Sequence, residues 1–251
     1  MSMRWILIIL LAGCTITGLV EFPFIPEETN LPIEVYFCQI DDCIKLLRQY
    51  EGSSCAIYNS NLIEFKDVVT KENRTSGLMH NKFCVMNDTV VTGSLNPTKQ
   101  NVKEANNILS IHSKYVAELY ADELKELKNN EFGSGEKVKY PEIRLNNHSI
   151  KIRFCPEDNC REAVVEELEK ARKNIHFALN AFTDDTIGDL LVEKSKSIEV
   201  KGVLDSGIQE GSEKEKVKNI AEIRKNIHHK FFVIDEQTVI TGSANPSRNG
   251  Y

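Results

Sequence analysis

Two stretches of the chain carry a histidine, a lysine, a serine and an asparagine in the same order and at nearly the same spacing. The first, HNKFCVMNDTVVTGSLN, begins at His80, and the second, HHKFFVIDEQTVITGSAN, begins at His228. An imidazole can attack phosphorus or protonate a leaving oxygen, whereas ammonium and carboxamide groups hold charge on a phosphoryl group. These residue types indicate phosphodiester chemistry that requires neither a metal nor another cofactor.

The presence of two copies fits this chemistry, because one histidine must start neutral to attack while the other starts protonated to act as an acid. Histidine has an ordinary pKa of about 6.5, so small local shifts can assign the two roles. Two similar segments facing one phosphate would supply the pair.

Each stretch is predicted to form a β-hairpin, because short β-rich runs flank a polar turn. The expected pairing joins Met86 to Thr89 in the first hairpin and Ile234 to Thr238 in the second. It places each lysine opposite a glycine, and strand alternation places the histidine and the lysine on one face. If the return strand stays regular, a serine and an asparagine share a face in each copy: Ser94 and Asn96, and Ser243 and Asn245.

The second stretch matches His-x-Lys-x(4)-Asp-x(6)-Gly-Ser-x-Asn, the signature of the phospholipase D superfamily, at every fixed position. The first stretch resembles it with two departures, since Asn87 replaces the aspartate and one spacer is a residue shorter. The resemblance implies a phosphohistidine intermediate. It also implies catalytic roles for His80, Lys82, His228 and Lys230, and phosphate binding by Ser94, Asn96, Ser243 and Asn245.

Asp235 and Asn87 lie on the strand face opposite the histidines and lysines in the predicted hairpins. Their expected role is local hydrogen bonding near the turn, and asparagine suits a tight two-residue loop. The second hairpin therefore does not need Asp235 for direct contact with the phosphate.

The repeat extends upstream, where IEVYFCQIDDC, ending at Cys43, and IKIRFCPEDNC, ending at Cys160, each read as a strand followed by an acidic turn that opens a helix. In the second copy NIHFALNAF and IEVKGVLD read as strands. They flank the helical TDDTIGDLLVEKS, with Thr183 as a candidate cap. The alternation predicts a duplicated phospholipase D-like α/β sandwich with mixed sheets.

The predicted boundaries place a first repeat at 33–132, a linker at 133–149 and a second repeat at 150–251. In the shorter first copy SSCAIYNSN supplies one middle strand, and NNILSIH with SKYVAELYADELKELKNN supplies a strand and a helix after the hairpin. By symmetry a similar strand and helix would follow Ser247, so the second repeat reads as truncated at its C-terminus. Family members commonly place an acidic residue after Gly-Ser-x-Asn, and the nearest candidates are Glu104 and Asn106.

The N-terminal MSMRWILIILLAGCT contains a short apolar run, which is typical of a signal peptide or a membrane anchor at 1–20. LAGC at 11–14 resembles a lipoprotein signal, with Cys14 as the lipidated residue. A polar tether at 21–32 follows. The protein is therefore expected outside the cytoplasm, either tethered to the membrane through its N-terminus or secreted.

Cysteine spacing fits an extracytoplasmic location, because Cys38 with Cys43 and Cys155 with Cys160 are close enough for local disulfides. One shared zinc site or free thiols are the alternatives for these four residues. Cys55 and Cys84 are predicted to be core residues.

Composition is ordinary for a globular protein, and the net charge of -6 argues against a surface that coats polyanions. It still permits a local basic cleft around Lys82 and Lys230. The sequence favours phospholipid as the substrate, with a nucleic acid cleaved by an extracytoplasmic endonuclease as the alternative. A catalytically degenerate, membrane-tethered protein is the third reading.

Overall fold

The computed structural model describes residues 24–65, 67–70, 79–207, 211–247 and 250. The predicted signal or anchor segment 1–20, with Cys14, and the first residues of the tether lie outside these described residues. Among the helices that are described, none has the length and apolar character needed to cross a bilayer.

A six-stranded mixed sheet forms the first half of the chain, in the order β2-β7-β6-β5-β3-β4. Strands β3 and β4 are parallel and the other neighbours are antiparallel. The strands of this half, with β1 in a separate sheet, are β1 (Glu27–Glu28), β2 (Ile33–Phe37), β3 (Ser54–Ile57), β4 (Asp67–Val69), β5 (Lys82–Met86), β6 (Thr89–Gly93) and β7 (Asn107–His112). The prediction of one middle strand was wrong, because the three-residue β4 pairs with β3 and is too short to show a periodic pattern.

Two helices cover the two faces of this sheet. Helix α1 (Cys43–Arg48) begins after Asp42, whose carboxylate accepts the Lys45 N–H at 2.9 Å. Helix α2 (Lys114–Lys128) begins after Ser113, whose hydroxyl accepts the Val116 N–H at 3.1 Å. Each helix buries an apolar stripe against its own face of the sheet, which gives the predicted α/β sandwich.

Residues 133–149, predicted as a linker, contain β8 (Ile143–Leu145) and the start of β9 (His148–Ile150). These two strands and β1 form a small sheet in the order β1-β8-β9. Ile143 and Leu145 are buried in the core that α2 covers. Apolar and polar residues alternate in β8, as is typical of a strand with one buried face. The segment is therefore part of the first half and not a linker.

The strand expected at IKIRFC stops at Ile150, and residues 151–154 are not in a strand. Ile152 and Phe154 instead pack into the core of the first half. The corresponding strand of the first half, β2, is held by pairing with β7. Within the described residues no strand follows the second hairpin, so the segment has no equivalent of β7 to pair with.

A five-stranded mixed sheet forms the second half, in the order β12-β11-β10-β13-β14. Strands β10, β11 and β12 run parallel, and β13 is antiparallel to both β10 and β14. The helices are α3 (Cys160–Glu169) and α4 (Asp185–Lys194), and the strands are β10 (Asn174–Leu179), β11 (Glu199–Asp205), β12 (Ala221–Arg224), β13 (Lys230–Ile234) and β14 (Thr238–Thr241). The cap of α4 is Asp184, not Thr183, because the Asp184 carboxylate accepts the Ile187 N–H at 3.0 Å.

The two hairpins have the predicted registers. Met86 pairs with Thr89 in β5–β6, and Ile234 pairs with Thr238 in β13–β14. In both halves the hairpin lies beside an antiparallel strand, β3 or β10, which has a parallel neighbour, β4 or β11. The histidine-lysine ends of the hairpins therefore occupy comparable positions in the two sheets.

Three disulfides lie close to these elements. Cys38–Cys43 and Cys155–Cys160 close the turns before α1 and α3, with Cα–Cα distances of 5.2 and 5.8 Å. With their sulfurs joined in pairs, these four residues offer zinc no thiolate. Cys55 and Cys84, predicted only as core residues, are buried and are also joined across β3 and β5.

Candidate active site

The lysine of each hairpin is buried and turns back onto its own histidine. Lys82 and Lys230 are each 3% exposed at the start of β5 and β13. The Lys82 ammonium donates to the His80 carbonyl at 2.9 Å, and the Lys230 ammonium donates to the His228 carbonyl at 2.6 Å. The two copies thus hold their cations by the same local contact.

The histidine of each motif contacts the other half of the molecule. The His80 ring hydrogen-bonds the backbone of Ser243, and the His228 ring hydrogen-bonds the backbone of Ser94. Each imidazole therefore faces the Gly-Ser segment of the other hairpin. The structure brings the two sequence motifs into one site.

Backbone hydrogen bonds hold the halves together beside these rings. The Ala105 N–H donates to the Asn226 carbonyl at 2.7 Å, and the His228 N–H donates to the Ala105 carbonyl at 2.9 Å. They make a parallel bridge between Ala105 and Ile227. This bridge fixes the segment that carries His228 against the first half.

Burial and mutual repulsion disfavour positive charge in this site. Burial is the main cause that lowers the pKa of both His80 and His228 to about 2, and the charges of Lys82 and Lys230 lower it further. Burial, followed by the charge of Lys230, holds the pKa of Lys82 well below its usual range. Burial lowers the pKa of Lys230 to about 7, although Glu104 and Asp205 oppose the shift. A bound anion would relieve this repulsion, so the site is built to receive one.

Of the predicted phosphate-binding residues, Ser94 and Ser243 contact the histidines through their backbone, and the four side chains are held differently. Ser94 is fully buried and donates to the Asn106 side-chain oxygen at 2.9 Å. Asn96 is buried, and among the described residues its side-chain oxygen has no hydrogen-bond partner. Ser243 and Asn245 are half-buried, and the Asn245 side-chain oxygen accepts the Ala181 N–H at 3.3 Å. The second half of the site is the more open one.

Asn106 fixes the orientation of His228. Its amide nitrogen donates to the carbonyls of Asn101 and Glu104 at 2.8 and 3.1 Å, so its oxygen faces His228 Nδ1 at 2.8 Å. An amide oxygen can only accept, so this shorter contact places a proton on Nδ1 of His228, and the Lys230 nitrogen, 3.2 Å from the same atom, donates to the His228 carbonyl instead. When neutral, His228 then carries its lone pair on Nε2, and the bond to the Ser94 backbone belongs to the protonated ring. The sequence identified Asn106 only as one of two candidates near the histidines.

Tyr58 was not identified from the sequence, although it contacts the site. It follows β3, and its N–H donates to the Asn81 carbonyl at 2.9 Å. Its ring centroid lies 5.0 Å from that of His80 and 5.2 Å from the Lys82 nitrogen. The only signal was its position at the end of SSCAIYNSN, next to the predicted hairpin.

Asp235 and Asn87 lie in the hairpin turns, at the opposite ends of β13 and β5 from the lysines. The Asp235 carboxylate accepts the N–H groups of Arg172, Lys173 and Asn174, at 2.9, 2.7 and 3.0 Å. Hydrogen bonds from the backbone of Lys173 and Asn174 lower its pKa. Asn87 adopts a left-handed conformation with φ of 53°. Asn87 thus shapes its own turn, whereas Asp235 ties its turn to the residues before and at the start of β10, a longer-range contact than the local hydrogen bonding that was predicted.

Comparison with known proteins agrees with this fold. Residues 164–251 match a family model described as cardiolipin synthase, PLD-like domain. No curated protein sequence matches the chain. The architecture is a mixed α/β sandwich in which two histidine-lysine hairpins face each other. The second half of the chain, residues 164–251, is thus similar to a PLD-like domain, the type of domain found in the phospholipase D superfamily.

Solved structures add the following likenesses. A phosphatidylserine synthase from Haemophilus influenzae Rd KW20 is 9% identical, with a TM-score of 0.56 over 85% of this chain and 78% of that one. A polyphosphate kinase from Porphyromonas gingivalis is 11% identical, with a TM-score of 0.55 over 87% and 46%. Both show the shared fold. Nuc, a phospholipase D family member from Salmonella typhimurium, is 27% identical, with a TM-score of 0.34 over 38% and 69%.

Proposed function

We propose that this protein hydrolyses the phosphodiester bond of a phospholipid through a phosphohistidine intermediate. The observation that carries the proposal is the crossing of the two imidazoles, since His80 bonds the backbone of Ser243 and His228 bonds the backbone of Ser94. Two rings that face the opposite motif can address the two sides of a single phosphate. Nucleophilic attack and protonation of the leaving group need that arrangement.

His228 is the proposed nucleophile, because the hydrogen bond to Asn106 leaves the lone pair on Nε2. Nε2 attacks phosphorus while the bond from phosphorus to the leaving oxygen breaks. The protonated His80 gives its proton to that oxygen, and the alcohol departs. In the second step His80 takes a proton from water, the water oxygen attacks phosphorus, and the N–P bond breaks to restore His228.

Binding of the substrate supplies the charge that this sequence of steps needs. A phosphodiester anion offsets the repulsion from Lys82 and Lys230, which raises the pKa of a nearby imidazole and lets it carry a proton. The lysines, together with the side chains of Ser94, Asn96, Ser243 and Asn245, are the proposed groups around the phosphate oxygens. Asn96 would contribute through its amide N–H groups, because a phosphodiester oxygen has no proton to donate to the unpartnered amide oxygen.

A phospholipid is the favoured substrate for two reasons. The description of the matching family model names cardiolipin synthase. The N-terminal sequence is also predicted to hold the protein at a membrane. Nucleic acid is the other substrate that the test must address, since its backbone contains the same bond.

The experiment measures hydrolysis by the full chain in excess chelator. The substrates are bis(p-nitrophenyl) phosphate, phosphatidylcholine vesicles and single-stranded DNA. We expect chelator-resistant hydrolysis of the chromogenic diester and the vesicles, and its loss in His228→Ala. His148→Ala, which changes an exposed histidine in β9, is the matched control and keeps full activity.

Each alternative gives a different result. Hydrolysis of DNA without hydrolysis of vesicles would show that the substrate is a nucleic acid and not a phospholipid. A folded protein that hydrolyses none of the three substrates would support the catalytically degenerate reading. Equal activity of His228→Ala and the wild type would overturn the phosphohistidine mechanism.

A further inference from the structure

Tyr58 provides an aromatic surface for both reactive groups of the first hairpin. Its ring makes a T-shaped contact with the His80 ring, with an interplanar angle of 64°, and the Lys82 ammonium lies over its face. Such a contact restricts rotation of the imidazole. A cation within about 6 Å of an aromatic face is also attracted by the electron-rich face of the ring.

The second hairpin has a different residue at the corresponding place. Asn180 follows β10 as Tyr58 follows β3, and each donates its N–H to the residue after the motif histidine: Asn180 to the His229 carbonyl and Tyr58 to the Asn81 carbonyl, both at 2.9 Å. The Asn180 side chain donates to the Ile227 carbonyl at 2.8 Å. His228 is therefore oriented by an amide oxygen, from Asn106, whereas His80 is oriented by an aromatic ring.

We infer that Tyr58 is a positioning residue that assigns the acid role to His80. The inference rests on the proposed function and deepens it. Where the imidazole edge of this T-shaped contact points at the Tyr58 ring face, the ring favours the protonated imidazole over an apolar wall in the same place. The Asn106 oxygen instead holds His228 as the tautomer suited to attack. The difference between Tyr58 and Asn180 thus makes the two otherwise similar half-sites unequal.

The test compares two substrates whose leaving groups differ. Departure of p-nitrophenolate needs no proton, whereas departure of the alkyl alcohol of a phospholipid does. Only hydrolysis of the phospholipid therefore depends on His80 as the acid. We expect Tyr58→Leu to lower kcat/KM for dihexanoyl phosphatidylcholine by about tenfold or more, and for bis(p-nitrophenyl) phosphate by less than about twofold. Tyr58→Phe keeps the ring and restores both values to within about twofold of the wild type.

A matched control separates positioning from folding. Tyr50 is a buried tyrosine in the core under α1 of the same half. Tyr50→Leu should lower both kcat/KM values by the same factor, to the extent that it lowers the folded fraction. If Tyr58→Leu also lowers both values equally, Tyr58 is a structural residue and the inference is wrong.

A measurement without turnover distinguishes this inference from the proposed function. The protonation of His80 is followed by NMR of ¹⁵N-labelled imidazoles at saturating inorganic phosphate. We expect the titration midpoint of His80 to be lower by about one pH unit in Tyr58→Leu than in the wild type. An unchanged midpoint overturns the role of Tyr58 even if turnover is observed. The expected shift in a protein without turnover supports Tyr58 while the proposed hydrolysis fails.

Discussion

Asn106 of the first half and His228 of the second half are joined by a 2.8 Å hydrogen bond between the amide oxygen and Nδ1. The bond gives His228 its tautomer but, unlike a carboxylate, adds no negative charge beside it. Because Asn106 also accepts from Ser94, one amide connects both motifs. The reactivity of His228 is thus set by a residue of the other half.

Replacing Asn106 by aspartate tests this connection. A carboxylate beside His228 favours the imidazolium, so the pKa of His228 rises and less of the neutral nucleophile is present at low pH. We expect the acidic limb of the kcat/KM profile to move to higher pH by about one unit or more in Asn106→Asp. Asn107→Asp is the control, because Asn107 makes a similar 3.0 Å contact with His229 instead. An unmoved acidic limb would show that His228 is not the group titrating there.

Val90 and Val239 hold the same place in their hairpins, one residue after the strand begins, yet Val90 is 0% exposed and Val239 is 62% exposed. Helix α2 covers the face of the first sheet that carries Val90. Among the described residues no helix covers the corresponding face of the second sheet. The two halves differ most in this outer layer.

Truncating each valine to alanine measures that difference. We expect Val90→Ala to lower the free energy of unfolding by about 2 kcal/mol, because it leaves a cavity in a packed core. Val239→Ala should change it by less than about 0.5 kcal/mol. Urea denaturation of the two variants provides the measurement. A large loss at Val239 would reveal that the face is covered in solution by another copy of the chain or by another partner.

The hairpins were predictable in detail because two independent signals agree in each. The apolar alternation sets the faces, and the polar turn sets the register, so Met86 and Ile234 were paired correctly from sequence alone. The helix α2 was also predicted, since its apolar positions recur over four turns and Ser113 caps it. Long periodic elements next to clear turn residues carry most of the fold information in this chain.

Features that depend on distant parts of the chain were not predictable. Strands β4 and β12 are short, and only the neighbouring strand shows that they are strands. Tyr58 reads as an ordinary aromatic at a strand end, because its contact with His80 appears only when the hairpin is placed beside β3. The same holds for Asn106, whose partner lies in the other half of the chain.

A buried carboxyl group behind the first hairpin makes stability depend on pH. Glu123 of α2 is 7% exposed and accepts the Asn81 side-chain N–H at 3.0 Å. Burial, followed by the charges of Glu157 and Glu126, raises the pKa of Glu123 to about 8. The folded protein therefore holds this proton more tightly than the unfolded chain does. Stability from this group is complete below pH 4.5 and is lost as the pH rises through about 8.

Glu123→Gln should remove that dependence, because glutamine keeps the acceptor oxygen without a charge. We expect the variant to be more stable than the wild type at pH 9 by an amount on the order of a few kcal/mol, and nearly equal to it at pH 4.5. Urea midpoints across this range provide the measurement. Glu118→Gln, on a more exposed part of α2, is the control for replacing a carboxylate of this helix by an amide. Parallel curves for Glu123→Gln and the wild type would show that Glu123 is already ionised in the folded protein.

Asp235 completes the family signature, but its contacts predict a role in folding and not in chemistry. Its carboxylate accepts the N–H groups of Arg172, Lys173 and Asn174, which tie the hairpin turn to the start of β10. These bonds lower its pKa, so the stability that they provide is present above the ordinary aspartate pKa of about 3.9. It is lost as the pH falls through the lowered value.

We therefore expect Asp235→Asn to lower the urea midpoint at pH 7, because an amide has one acceptor oxygen where the carboxylate has two. At pH 7 and at a temperature where the variant is folded, its kcat should stay within about twofold of the wild type. The reverse change in the first hairpin, Asn87→Asp, is the control and should leave kcat unchanged. Loss of turnover in Asp235→Asn with an unchanged urea midpoint would mean that the aspartate acts on the chemistry. The assignment of Asp235 to the turn would then be wrong.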